Sequence, residues 1–158
     1  MEEPLRHLLD ARLIASLGTI NRDGTPHIVA MWYLWEAEAL LIPTNHATQK
    51  IRNLERDPRA TVMIHDTRGG FDLCGAMLVG PVAIVRGPRA LELNRRIHLR
   101  YVTERGLALD GVRRYLSGDD VTIRLQPERV ATWDSRETKE SGELLESGEF
   151  ERLSPVHV

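Results

Sequence analysis

At 158 residues the chain has the length of one domain and enough material to bury a core without disulfides or metals. Its 42% hydrophobic content argues against disorder, and a formal net charge of −2 offers no bulk attraction to nucleic acid or an anionic membrane. A single cysteine, Cys74, excludes an internal disulfide and a cysteine zinc site; with an acidic start and no apolar run near the roughly 20 residues of a membrane helix, the expectation is a cytoplasmic protein.

Leu5, Leu8 and Leu9 share one helical face behind Pro4 and predict a short N-terminal helix. Leu13–Ile20 reads as a strand, Asn21-Arg22-Asp23-Gly24 as a turn, and Pro26–Trp35 as a second strand, so that the two form a hairpin. After a turn at Glu36–Glu38, Ala39–Pro43 reads as a third strand. A polar stretch, Thr44–Gln49, leads into a short helix over Lys50–Arg56, stopped by Asp57-Pro58. Ala60–His65 is a fourth strand, Gly69-Gly70 a turn, and Leu73–Val85 a long strand bent at Gly80-Pro81, where proline cannot donate to a ladder.

Pro88 opens the longest predicted helix, with Ala90, Leu93, Ile97 and Tyr101 on one stripe; a second short helix is expected at Gly111–Leu116. Val121–Leu125 and Arg129–Trp133 read as closing strands around the turn Gln126-Pro127-Glu128. The sum is a mainly β protein with peripheral helices: an antiparallel barrel of six or seven strands. Residues 1–135 form its domain, and 136–158 a polar tail expected to be mobile or to lie along a partner chain.

The segment with most chemistry is Thr44-Asn45-His46-Ala47-Thr48-Gln49-Lys50. A strand end, a polar loop and a helix start place free backbone N–H groups and the positive end of a helix dipole together. Thr44, Asn45 and Thr48 can donate hydrogen bonds, and Lys50 adds a full charge that the dipole disfavours unless an anion is near. Only Lys50 and Lys139 are lysines in a chain that otherwise uses arginine. These features suit an anion site and equally suit a capped surface helix with an incidental lysine.

Pro26–Trp32 is apolar on both faces and suits either a flat ligand or a central strand. His7, His27, His46, His65, His98 and His157 show no metal-pair spacing, so no metal site is expected; His27 and His46 lie nearest the candidate anion segment. Hydrolase, P-loop and dinucleotide motifs are absent, and Asp66, Asp72 and Asp134 form no triad with a nucleophile. Trp133 suits a lid, an interface anchor or a rim aromatic closing the core.

Taken together, LLIPTNHATQKIRNLERDPRATVM (Leu40–Met63) resembles the pyridoxamine-phosphate-oxidase-like family of FMN-binding split barrels, through Thr44-Asn45, Lys50, Asn53-Leu54 and Asp57-Pro58-Arg59 between two apolar strands. The preceding hairpin resembles the family's opening hairpin, and the similarity runs from about Leu5 to Arg136. The resemblance implies a six- to seven-stranded split barrel and a homodimer with FMN at the subunit interface. It implies flavin-dependent oxidoreductase activity toward a small molecule. Val29, Ala30 and Met31 would lie along the cofactor's ring and ribityl chain, largely through backbone contacts; Thr44, Gln49 and Lys50 would hold the phosphate, and Trp133 would stand near the flavin. His27 and Asn45 join the expected cofactor-binding residues from their own positions in the sequence.

Two departures shape the expectation. The Arg-x-His pattern with which pyridoxamine-phosphate oxidases hold substrate is missing from Asp134-Ser135-Arg136-Glu137, so vitamin B6 oxidation is not expected. Thr48 stands where many deazaflavin-dependent members carry arginine, which favours FMN over the alternative cofactor F420. A third reading is a flavin-binding protein without catalysis.

Overall fold

The computed structural model describes residues 3–67, 73–113, 116 and 119–149. The apolar N-terminal stripe becomes α1 (Glu3–Asp10), and the opening hairpin becomes β1 (Ala15–Ile20) and β2 (Pro26–Met31). Then follow β3 (Leu34–Glu36), β4 (Ala39–Asn45), α2 (Gln49–Arg56), β5 (Arg59–Thr67) and β6 (Leu73–Val85). The second half holds α3 (Pro88–Tyr101), α4 (Glu104–Leu107), α5 (Asp110–Arg113), β7 (Asp120–Leu125), β8 (Arg129–Asp134) and α6 (Lys139–Ser147).

All strand pairs are antiparallel and form one curled sheet of eight strands in the order β2-β1-β5-β6-β7-β4-β3, with β8 on β6. This is a split barrel. The long β6 belongs to both halves: residues 73–81 pair β5, and from Val82 onward the strand pairs β7. The change falls at Gly80-Pro81. Proline gives no ladder N–H there, and a Cβ on Gly80 would lie 2.0 Å from the Gln126 carbonyl oxygen, so only glycine admits the β7–β8 turn this close.

Strand alternation builds the core. Ala15, Leu17, Val62, Ile64, Ala76 and Leu78 point inward to meet Leu40, Ile42, Ile123 and Leu125. On its outer side β4 is also covered, because Leu41 packs on Leu93 and Ile97 of α3. Leu9 and Tyr33 are fully buried within this core.

The structure corrects two details of the sequence reading. The expected strand Pro26–Trp35 is two strands, because β2 pairs β1 whereas β3 pairs β4. The break is held by Trp32, stacked on Tyr101 at 5.0 Å, and by Tyr33, whose hydroxyl donates to the Ala11 carbonyl at 2.9 Å. The second short helix starts at Asp110, and α4 precedes it. Beyond β8 the described part of the tail forms a three-ten turn, Ser135–Glu137, and α6, which Thr138 caps at one end and left-handed Gly148 closes at the other. The expected Gly69-Gly70 turn lies outside the described residues.

Candidate functional site

β4 runs further than its apolar residues foretell. Thr44 and Asn45 continue the ladder, opposite Val121 and Asp120. The chain then turns through His46 and Ala47, with the Ala47 N–H donating to Asn45 Oδ1 at 2.9 Å. Asn45 Nδ2 donates to Asp120 Oδ1 at 3.2 Å, and the His46 ring pairs through Nδ1 with the Asp119 carbonyl at 3.0 Å. Both side chains therefore fasten the loop to the start of β7.

Thr48 stands at the N-cap of α2 yet does not cap it, because its hydroxyl donates to the Asn45 carbonyl at 2.9 Å. The first N–H groups of the helix, Gln49 and Lys50, find no partner among the described residues. Lys50 folds back over this end, and its Nζ donates to Thr44 Oγ1 at 3.1 Å. The Thr44 and Thr48 hydroxyls lie 3.4 Å apart. No carboxylate pairs with Lys50 among the described residues, and burial holds its pKa below the ordinary lysine value. An unpaired, half-buried ammonium, open N–H groups and two hydroxyls thus converge at one helix start. That set fits a phosphate and gives a metal ion no carboxylate, thiolate or free imidazole.

The Gln49 side chain points elsewhere: its Nε2 donates to Asn53 Oδ1 at 2.9 Å. Asn53 is fully buried and donates in turn to Thr19 Oγ1 and Asn21 Oδ1, both at 3.0 Å. The sequence named Asn53 only as a motif position. No periodicity distinguishes a buried amide of this kind, and Thr19 and Asn21 read as ordinary strand-end and turn residues.

The remaining candidates divide by strand alternation. On β2, Val29 and Met31 pack against the core and His27 points the same way, whereas Ala30 and Ile28 face outward. The outward face continues through Ser16, Met63 and Met77 by direct pairing, and Ile28, Met63 and Met77 are exposed there. A groove of about 650 Å³ runs along it. Trp133 lies on this same face, its ring over Gly75, where a Cβ would come within 2.2 Å of the indole. Within one chain Ala30 and Trp133 therefore share the outer face, and Thr44, Asn45 and Lys50 gather at the helix start. No hydrogen bond joins Trp133 to that cluster among the described residues.

The comparisons agree with this architecture. A family model described as pyridoxamine 5'-phosphate oxidase matches residues 1–134. The fold is similar to that of a conserved hypothetical protein from Mycobacterium tuberculosis, 29% identical, with a TM-score of 0.72 and 86% of each chain covered. It is similar to an F420 reductase, 27% identical, with a TM-score of 0.63 over 83% of this chain and 98% of that one. The heme storage protein HutZ from Vibrio cholerae, 19% identical, shares the fold (TM-score 0.64, covering 84% of this chain and 93% of that one). The family match takes in the whole curled sheet from α1 to β8, and the chain belongs to the pyridoxamine 5'-phosphate oxidase family.

Proposed function

We propose that this chain binds FMN through its phosphate at Thr44–Lys50, as a homodimer, and is a flavin-dependent oxidoreductase acting on a small molecule. The observation that carries the reading is Lys50: an ammonium half withdrawn from water, with no acid beside it among the described residues, at an uncapped helix start. A phosphate supplies the missing negative charge and accepts from the open N–H groups of Gln49 and Lys50. Thr44 holds the ammonium in place and Thr48 shapes the turn.

Bound flavin supplies the hydride and electron transfer. The chain's own part is to hold the phosphate, to lay β2 along the ring through the backbone of Val29, Ala30 and Met31, with His27 near its start, and to exclude water there. No side-chain acid or base is required of it. The outward face bearing Ile28, Met63 and Met77 is the surface a second copy would cover, with Trp133 and Ala30 beside the shared cofactor.

F420 is the second reading, supported by the likeness to an F420 reductase and by a phosphate grip that serves either cofactor. Thr48 weighs against it, since a hydroxyl replaces a cationic phosphate ligand. The spectrum and mass of the purified protein decide. A bound chromophore with the mass of FMN is expected; bound F420 establishes the second reading. A protein that takes up neither cofactor on titration contradicts both.

A further inference from the structure

Asn53 sits on the inner face of α2 between Ile51 and Leu54, with no solvent exposure. An apolar residue would fill that position at no polar cost, whereas a buried amide is tolerated only when its hydrogen bonds are met. Here all are met, and each goes to a different part of the fold. The two Nδ2 hydrogens reach Thr19 at the end of β1 and Asn21 in the β1–β2 turn, and Oδ1 accepts from Gln49 in the first turn of α2. Asn21 is itself fixed to the far side of its turn. Its N–H donates to the Thr25 carbonyl at 2.9 Å, and its Nδ2 donates to Thr25 Oγ1 at 3.1 Å.

This network ties together two pieces of the proposed site that the chain order keeps apart. The β1–β2 turn leads directly into β2, which carries His27, Val29, Ala30 and Met31. The first turn of α2 carries Lys50 and the open N–H groups. Strand pairing does not join them, because β2 pairs β1 and α2 lies outside the ladder. Side-chain hydrogen bonds from α2 reach Asn21 in the turn from Asn53 and Gln49, and Arg56 at the far end of α2 donates to the Ile20 carbonyl just before it.

We propose that Asn53 is a positioning residue for the cofactor site: through Gln49 and Asn21 it sets the distance between the phosphate-binding turn of α2 and the ring-binding strand β2. The inference rests on the proposed phosphate site. A ligand that spans both pieces feels the tie; a ligand that touches only β2 does not.

FMN and riboflavin differ by the phosphate alone and separate these cases. Wild type, Asn53→Leu and the milder Thr19→Val are titrated with each, alongside melting temperature. Asn53→Leu is expected to weaken FMN about ten-fold or more while changing riboflavin affinity less than about two-fold. Thr19→Val, which removes one bond of the tie and keeps the shape, shifts FMN in the same direction by less. It also keeps the test open if Asn53→Leu fails to fold. FMN affinity unchanged in the folded variants overturns the proposal, as does an equal loss for FMN and riboflavin, which marks Asn53 as merely structural. A wild type that binds FMN no better than riboflavin overturns the phosphate site itself, and is seen before any variant is made. Should the wild type take up F420 instead, the same pair of measurements is made with F420 and its phosphate-free chromophore.

Discussion

Lys50 stands where burial opposes its charge; it donates to the Thr44 hydroxyl, and no carboxylate among the described residues offsets the remaining cost. The sign of the effect is definite. Burial lowers the pKa of the folded state below that of the unfolded chain, so between the two values the unfolded chain binds more protons, and stability rises with pH. Without cofactor, Lys50→Met is therefore expected to melt at a higher temperature than wild type at neutral pH, with the gap closing as pH rises toward the ordinary lysine range. Thermal melts of both proteins across that range check it; an apo variant less stable than wild type at neutral pH contradicts it. Cofactor affinity has the opposite dependence, because the phosphate needs the ammonium. It should decline on the alkaline side earlier than an unburied lysine would allow, and Lys50→Arg should move that decline upward.

At the scale of elements, two glycines on β6 make contrasting demands. A Cβ on Gly75 meets the Trp133 ring, and a Cβ on Gly80 meets the Gln126 backbone carbonyl. A ring can swing on its side-chain torsions; a hydrogen-bonded turn cannot move so freely, since the Gln126 N–H donates to Pro81 and the Glu128 N–H to Val79. Gly75→Ala should change tryptophan fluorescence at small cost in stability, whereas Gly80→Ala should cost about 2 kcal/mol or more as an overpacked, strained site. Equal denaturation midpoints for the two variants would count against this assignment of the close approaches.

These elements also show how far the sequence could be read. β1, β5, β6 and α3 were legible because each is long, periodic and ended by glycine, proline or a polar turn. The β2–β3 break was not: Trp32 and Tyr33 look like strand residues, and their hydrogen-bonding and stacking partners, Ala11 and Tyr101, are remote in sequence. The β3–β4 turn hides its geometry as well, because Ala37 and Glu38 occupy the left-handed region (φ 48° and 57°) that glycine or asparagine ordinarily marks. At the candidate site, the local pattern singled out Thr44, Asn45 and Lys50 for an anion and suited a capped helix equally; the structure gathers the three at one helix start. The role proposed for Asn53 was not legible, because it depends on Thr19 and Asn21 more than thirty residues away.

For the whole molecule, the proposed homodimer rests on the outward sheet face. Ile28 is 68% exposed, and Met63 and Met77 add to a contiguous apolar surface of a kind that soluble proteins usually cover with a partner. The described helices include none long and apolar enough to cross a membrane. A second copy buries this face in the proposed homodimer, which light scattering at micromolar concentration should report. Met77→Lys places an unpaired charge at the centre of the face. It should yield a monomer that also binds FMN weakly, because each site would lose the partner's contribution. A monomeric wild type with full FMN affinity would contradict the shared site.

Whether Thr44–Lys50 holds a flavin phosphate is read from titration of wild type and Lys50→Ala with FMN and riboflavin. The variant is expected to lose about 1.5–3 kcal/mol of FMN binding, roughly ten- to hundred-fold, while riboflavin affinity stays within about two-fold of wild type. Unchanged FMN affinity in a folded Lys50→Ala protein would contradict the phosphate site.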